Sequence, residues 1–299
     1  MVDGVSVIKD GGGFASVSSV MATSRTNLGV AMQVQDAYSE PTGVDLRSNA
    51  HVHGTLKTAA DETRQAGAVV DGLDLRQTSL QPLESISWAV SFPNTSRGSC
   101  SLEPGNSQTI DPSGYGDIAV KSRSRLKIRS GTYYFNSLSF EPQSELDIDN
   151  TAGPVFIYVR TSFAFGGTVV EANTAHMNFL FGVAGTTAVN IQSPFRGLLV
   201  APFAAVSLPT SSSVGHVGSF FAKSIIANAN TVIHLRPLAP GELCQSGAAC
   251  SSFCPCGGGT CGGAPSSKDP TARSKLRGRS VLPRRCHRDH PQLRRRHPQ

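Results

Sequence analysis

The sequence lacks a hydrophobic run long enough to cross a membrane as a helix. Such a span needs about 18 or more apolar residues, whereas the longest apolar run, Gly197–Leu208, is interrupted by Pro202. The run is therefore interpreted as buried strand. The first ten residues also lack the apolar segment of a signal peptide, so the sequence indicates no export signal in this chain.

Three short motifs of common enzymes are missing as well. The sequence contains no G-x-S-x-G nucleophile elbow, no P-loop and no G-x-G-x-x-G that opens a helix. These absences argue against α/β-hydrolases, P-loop nucleotide hydrolases and dinucleotide-binding enzymes.

The body of the chain has no surplus of positive charge, although the whole chain carries +6. Residues 265–299 hold 11 of the 27 basic and 2 of the 21 acidic residues, which leaves 16 basic and 19 acidic residues in the other 264. Nucleic-acid binding needs clustered cations. We therefore expect no nucleic-acid partner for the body.

What the sequence does contain is a regular repeat in its middle. Four apolar residues recur 20 positions later, and the residues between them alternate between polar and apolar. The two sets are Ile118, Val120, Leu126 and Ile128, then Leu138, Phe140, Leu146 and Ile148. Alternation indicates strands with one buried face, and a period of about 20 residues is typical of solenoids. The sequence predicts an all-β, right-handed parallel β-helix with coils of about 18–20 residues.

Charged residues follow the same interval with their sign reversed. Lys121, Arg125, Lys127 and Arg129 are followed 20 positions later by Glu141, Glu145, Asp147 and Asp149. Coils stack about 4.8 Å apart, so each cation is expected beside a carboxylate of the next coil. We predict that these eight residues form a structural charge ladder on one outer face.

The repeat does not cover the whole chain. Ala50–Gly54 resembles Ala68–Gly72 at an offset of 18 residues, which places the start of regular coils near residue 46. We expect a cap or irregular first coil at 1–45, the β-helix at 46–240 with an irregular insertion at 81–117, a Cys/Gly-rich linker at 241–264 and a disordered basic tail at 265–299. The sole tryptophan, Trp88, is expected to anchor the insertion to the core.

Several segments together resemble a known family. They are Gly131–Phe135, Gly153–Val159, Gly197–Pro202, Phe221–Ser224 and His234–Pro237. This set resembles a bacterial β-helical domain family of unknown function, found in secreted or envelope proteins of myxobacteria and other proteobacteria, with adhesin-like, surface-anchored relatives. The resemblance covers roughly residues 44–240. It implies an extracellular or cell-envelope location, with polysaccharide or other envelope proteins as partners, and it carries over no catalytic residues.

Two groups of residues have side chains that bind metals. His51 and His53 share a strand face at a spacing that can chelate zinc or copper, but no third ligand at a matching offset is apparent. Asp147 and Asp149, with Asn150, offer oxygen ligands for calcium. A solvated strand face and charge pairing are the favoured interpretations, so we predict no metal and no cofactor.

The remaining histidines and cysteines give no clear chemistry. His176, His216 and His234 are isolated and are expected to have structural roles at strand ends. The spacing of Cys244, Cys250, Cys254, Cys256 and Cys261 fits no standard zinc or iron–sulfur arrangement. In an exported protein they would form a disulfide-tied linker with Cys100 and Cys286 as further partners; in an out-of-frame tail they would have no meaning.

The favoured function is a non-enzymatic structural or adhesive element outside the cytoplasm. One alternative is a polysaccharide lyase or hydrolase, because β-helices often carry such sites as carboxylates and basic residues on an exposed face. The other is a cytoplasmic scaffold whose β-helices polymerise end to end. The regular ladder of opposite charges favours the non-enzymatic interpretation, since an active site needs carboxylates that are not already paired.

Overall fold

The computed structural model describes residues 6–7, 16–22, 25–39, 43–76, 88–174, 177–209, 214–228 and 230–234. Within these ranges every regular element is a β-strand, and all of these residues belong to one compact unit. The strands are β1 (Ser6–Val7), β2 (Ser16–Ala22), β3 (Thr26–Leu28), β4 (Gln33–Ser39), β5 (Val44–Leu46), β6 (His51–Val52), β7 (Leu56–Thr58), β8 (Glu62–Arg64), β9 (Val69–Val70), β10 (Asp74–Leu75), β11 (Cys100–Leu102), β12 (Ser107–Thr109), β13 (Gly114–Val120), β14 (Arg125–Arg129), β15 (Gly131–Phe140), β16 (Glu145–Asp149), β17 (Val155–Phe165), β18 (Thr168–Glu171), β19 (Phe179–Val183), β20 (Val189–Ile191), β21 (Arg196–Leu208), β22 (His216–Ala227) and β23 (Ile233–His234).

The strands pair only in parallel, each with its equivalent on the neighbouring coil. Two sheets are built from the first part of the chain, with strand orders β1-β3-β5-β8 and β10-β7-β4-β6-β9, and β2 pairs with β4. Two more come from the second part, with orders β11-β13-β15-β17-β19-β21-β22-β23 and β12-β14-β16-β18, and β20 pairs with β17 and β21. This arrangement confirms the predicted all-β solenoid of stacked coils.

The register is the one that the repeat predicts. Leu126 pairs with Leu146 and Ile128 with Ile148, and these side chains are buried. Since side chains alternate along a strand, a slip of one residue would turn this whole set to the outside. The apolar pattern therefore sets the alignment of neighbouring coils.

Within each coil the chain changes direction at short irregular positions, which divide the coil into separate outer faces. In β15 the alternation of buried and more exposed positions is interrupted at residues 136–137, where the register with β17 also shifts, so we describe Gly131–Phe135 and Ser137–Phe140 as the first and second faces of the coil. β16 forms a third face of the same coil. Positions in the three segments alternate between buried and partly exposed.

Coils are also present in the first part of the chain. β3 pairs with β5, and β4 pairs with both β6 and β7. Parallel pairing between coils is therefore present before residue 46 as well, where the sequence predicts the start of the β-helix. We refer to residues 6–76 as the N-terminal coils and to residues 100–234 as the C-terminal coils.

The order of coils in the stack differs from their order in the sequence. β1 lies against β22, and β2 lies against β23. In the stack, the N-terminal coils therefore lie next to the last C-terminal coil. β10 and β11, which are consecutive strands in the chain, lie at the two ends of the stack.

Residues 88–99, which we call the strap, return along the outside of the C-terminal coils. Trp88 packs against Tyr158, with ring centroids 6.1 Å apart, and Phe92 against Tyr134 at 5.8 Å. Further along, the Gly116 amide donates a hydrogen bond to the Gly98 carbonyl at 2.9 Å. The strap thus passes β17, β15 and β13 in turn before β11 begins, and the predicted anchoring of Trp88 to the core is confirmed. The predicted linker and basic tail lie outside the described residues.

Candidate functional site

The predicted charge ladder lies on the face formed by β12, β14, β16 and β18. The backbone register places Arg125 beside Glu145, Lys127 beside Asp147 and Arg129 beside Asp149. Arg125 Nε lies 2.7 Å from Glu145 Oε1, and its Nη1 lies 4.0 Å from Asp147 Oδ2. One arginine thus reaches the carboxylates of two positions of the ladder.

The two ends of the ladder differ. Lys121 Nζ lies 2.9 Å from Glu141 Oε1, and this hydrogen bond is the main cause that lowers the pKa of Glu141. At the other end Arg129 Nη2 lies 3.2 Å from Asp111 Oδ1, on the preceding turn of the chain, while Asp149 Oδ1 accepts from Thr151 Oγ1 at 2.6 Å. Arg129 and Asp149 are neighbours in register, but each has another partner.

The first face of the C-terminal coils is covered by protein. In β17 the five residues Val155–Val159 are all buried, whereas Arg160 and Thr161 are exposed and residues 162–165 alternate between partly exposed and buried. The strap explains the difference because Trp88 packs on the outside of this face. At Gly182 a Cβ would lie only 2.6 Å from the indole of Trp88, so glycine leaves room for the ring. This face is closed to ligands at Trp88.

The second face is open and carries uncharged side chains, all of them small except Ile226. One row of outward positions runs along the stack and holds Ala119, Ser139, Ala164, Asn190, Ser207 and Ile226. Beside it lie two further pairs, Ser137 with Ser162 and Ala205 with Ser224. We call these ten positions the small-residue face. Their regular spacing follows the strand separation of about 4.8 Å. Such a surface is flat and contains no long charged side chain.

One edge of the small-residue face is ordered by an acidic residue. Asp117 is paired with Ser137 of the next coil, and its Oδ1 accepts hydrogen bonds from Ser137 Oγ and Asn136 Nδ2, both at 2.7 Å. These bonds lower the pKa of Asp117, with the Ser137 hydroxyl as the largest cause. This face was not predicted from the sequence, although Ser137 and Ser139, which alternate with apolar residues, indicate small outward side chains.

The two histidines of the sequence prediction lie side by side on the N-terminal coils. The ring centroids of His51 and His53 are 4.0 Å apart. Asp71, on the next coil, places Oδ2 2.6 Å from His51 Nε2 and 3.3 Å from His53 Nδ1. Asp71 was not predicted as a third ligand, although the offset that aligns Ala50–Gly54 with Ala68–Gly72 places Asp71 opposite His53.

The other candidate ligands are separated by the fold. Asn150 is buried, and its amide donates to the Asn173 carbonyl at 3.0 Å, whereas Asp149 is exposed. The calcium interpretation requires Asn150 to face outward with the two aspartates, and it does not. His216 is buried and accepts a hydrogen bond at Nδ1 from the Phe195 amide at 3.1 Å, and His234 is exposed on β23. His176 lies outside the described residues.

Comparison with known proteins gives one match. The model of a family described as "Putative Ice-binding-like adhesive domain" matches residues 3–235. No curated protein and no solved structure matches the chain. In the part of the chain that the structure describes, no helix has the length and hydrophobicity needed to cross a lipid bilayer.

Proposed function

Because this chain belongs to the family of ice-binding-like adhesive domains, we propose that it is a non-enzymatic adhesive protein that attaches through the small-residue face. The observation that carries the proposal is the flat, uncharged surface formed by the outward Ser, Ala and Asn side chains of successive coils. The family supports adhesion, and the geometry indicates which face is suited to it.

Small outward side chains on a rigid backbone favour adhesion because they lose little conformational entropy on binding. Long side chains lose up to about 1.5–2 kcal/mol each of rotamer freedom when they are ordered against a partner, whereas alanine loses none. The backbone beneath these residues is held by parallel pairing on both sides, for example of Ala164 with Ser139 and Asn190. The face is thus rigid before binding, so little ordering cost accompanies adsorption.

The target that fits this face is an ordered solid or polymer surface. Hydroxyl and amide groups at a regular spacing can hydrogen-bond to ice or to an ordered polysaccharide, and the alanines between them allow close approach. We place the protein outside the cytoplasm, at the cell envelope or beyond it, with polysaccharide or other envelope proteins as partners. The adhesive family and the resemblance to secreted and envelope proteins support this location.

The test introduces bulk and charge into the centre of the face. The variants Ser139→Arg and Ala164→Arg should reduce adsorption to ice, crystalline cellulose or chitin, whichever of the three the wild type binds, by tenfold or more. The matched control is Thr168→Arg on the charged face, where an outward arginine joins other charges. Circular dichroism establishes that all variants are folded.

The outcomes separate the alternatives. Adsorption that is lost in the control, or kept in both test variants, would contradict the assignment of the small-residue face. Release of reducing ends or unsaturated products from a polysaccharide would instead support the carbohydrate-active enzyme, and growth of filaments by the purified chain would support the polymerising scaffold.

A further inference from the structure

We propose that His51, His53 and Asp71 form a binding site for a divalent transition metal of the Zn²⁺ type, independently of the small-residue face. The nitrogen and oxygen atoms that would serve as ligands all lie within 4.8 Å of one another. Two imidazoles and one carboxylate are a ligand set that binds zinc and leaves a fourth position for water or another donor.

The three positions are held by the backbone of stacked coils. The His53 amide donates to the Val34 carbonyl at 3.0 Å, and the Asp71 amide donates to the Val52 carbonyl at 2.9 Å. Because the main chain at both residues is part of the ladder between coils, the side chains start from fixed positions. A site on such rigid elements needs little reorganisation when the ion enters.

The distances are close to those that a zinc ion requires. Two ligands that each lie about 2.0–2.1 Å from a tetrahedral zinc are about 3.3 Å apart. Asp71 Oδ2 lies 3.3 Å from His53 Nδ1 and 2.6 Å from His51 Nε2. The side chains of His51, His53 and Asp71 are 29%, 40% and 50% exposed, so an ion can reach them from solvent and small rotations can open the shorter distance.

The surroundings of His53 leave room for a proton or a metal ion between the ring and Asp71. When the proton of a neutral ring lies on Nε2, it is donated to Gln33 Oε1, which lies 3.3 Å away. Nδ1 then presents a lone pair to the carboxylate of Asp71. Two acceptors this close repel each other unless a proton or a metal ion lies between them, and Zn²⁺ satisfies both.

The site would also have a structural effect. Asp71 belongs to the coil of β8, β9 and β10 at the end of the stack, whereas His51 and His53 belong to the coil next to it. An ion held by all three residues would join the end coil to its neighbour. Since such an ion binds only the folded arrangement, it raises the unfolding temperature.

The experiment is a calorimetric titration of the full chain with Zn²⁺ at pH 7.5, after alkylation of its seven cysteines, which would otherwise bind zinc themselves. We expect one site, a higher unfolding temperature with zinc, and no binding of Ca²⁺, which prefers oxygen ligands. His53→Ala and Asp71→Asn should weaken binding by at least tenfold and remove the thermal shift. His234→Ala, which changes an exposed histidine outside the cluster, should leave both unchanged.

Three results would overturn the proposal. They are the absence of zinc binding at millimolar concentration, equal binding by wild type and both cluster variants, and zinc-edge X-ray absorption of the loaded wild type without imidazole ligands. In the first case the three residues form only a hydrogen-bonded surface cluster. Unchanged circular dichroism of the variants without metal shows that a loss of binding does not come from unfolding.

Discussion

The N-terminal coils and the middle C-terminal coils solve the same packing problem at different widths. In the N-terminal coils Val44 pairs with Glu62, and no aromatic side chain is buried among their described residues. In the middle C-terminal coils Gly131 pairs with Val155 and Ala164 with Asn190. More of the chain separates one paired position from the next there than in the N-terminal coils or in other C-terminal coils, where Cys100 pairs with Ile118 and Leu180 with Leu198. A longer coil encloses a wider interior, which must be filled to near-crystalline density.

Phenylalanine fills the wider interior. Phe181 packs between Phe163, at a centroid distance of 5.5 Å, and Phe195, at 5.1 Å. The equivalent space of a narrow coil is filled by valine, leucine and alanine, such as Val34, Val52 and Leu56. The comparison shows that coil length and core side-chain volume change together, while the parallel pairing stays the same.

The largest expected effect follows from truncation of the aromatic core. Phe181→Ala should destabilise the protein by about 3–5 kcal/mol, because it removes transfer free energy and leaves a cavity that rigid coils cannot close. Val52→Ala, a buried truncation in the narrow core, should cost only about 2 kcal/mol. Urea denaturation measures both, with the exposed Val170→Ala as control. Equal losses for Phe181 and Val52 would break the link between coil width and core volume.

The second prediction compares two inward carboxylates, one in each set of coils. The side chain of Glu171 is 1% exposed and lies 3.2 Å from Arg196 Nη1. The side chain of Glu62 is equally buried and pairs with both Arg64 and Arg76. Arg196→Met should therefore cost about 2–3 kcal/mol because it removes the ion pair of a buried carboxylate, whereas Arg64→Met should cost about 1 kcal/mol or less because Arg76 remains.

Glu171→Ile provides the matched rescue for this pair. Residue 171 continues the column of Ile128 and Ile148, so isoleucine fits the apolar row. The double variant with Arg196→Met should unfold near the wild-type urea midpoint. A double variant as unstable as Arg196→Met alone would show that the arginine acts through its packing and not through the carboxylate.

A pH effect is expected at His216, in the coil that adjoins the N-terminal coils. Burial lowers the pKa of this imidazole, and its Nδ1 accepts a hydrogen bond in the neutral form. The folded protein thus binds the proton more weakly than the unfolded chain, whose histidine pKa is about 6.5. The stabilisation is complete above that pH and decreases as the pH falls below it.

Thermal unfolding between pH 5 and 8 checks this expectation. His216→Gln should flatten the acid side of the profile relative to wild type, while His234→Gln, at an exposed position, should not. An acid limb of unchanged steepness in the first variant would assign the loss of stability to other groups.

The smallest expected effect concerns the charge ladder. A double-mutant cycle on Arg125 and Glu145 should give a coupling of about 0.2–1 kcal/mol at low salt, and less at high salt, because the pair is partly exposed. The same cycle on Arg129 and Asp149 should give almost none, since each has another partner. Strict additivity at Arg125 and Glu145 would mean that the ion pair contributes nothing measurable to stability.

The stacking register could be predicted from the sequence because apolar alternation specifies it locally. The period of two and the 20-residue repeat were enough to predict how Leu126 and Ile128 pair with residues of the next coil. The ion-pair partners of side chains were harder to predict. Arg129 lies near both Asp149 and Asp111, and its rotamer determines which carboxylate it contacts. Asp71 was missed for a different reason: it lies on the next coil, so only the 18-residue offset between coils, and not the spacing within one strand, places it opposite His53.

The order of the stack could not be predicted from the repeat. The contact of β1 with β22 joins segments from opposite ends of the described chain, whereas a repeat only relates neighbours within one run of coils. The small-residue face was likewise not recognised, because serine and alanine at outward positions carry no strong local signal. Which faces stay open also depends on the path of the strap.

The strap has a mechanical consequence for the stack of coils. Hydrogen bonds between coils all point along the stack, so a force in that direction loads them directly and can separate coils one at a time. The strap runs in the same direction from Trp88, beside Gly182 of β19, to Cys100 at the start of β11. Pulling β11 away from β19 therefore stretches a covalent chain that is fastened by Trp88 and Phe92, and tension is shared between the two load paths.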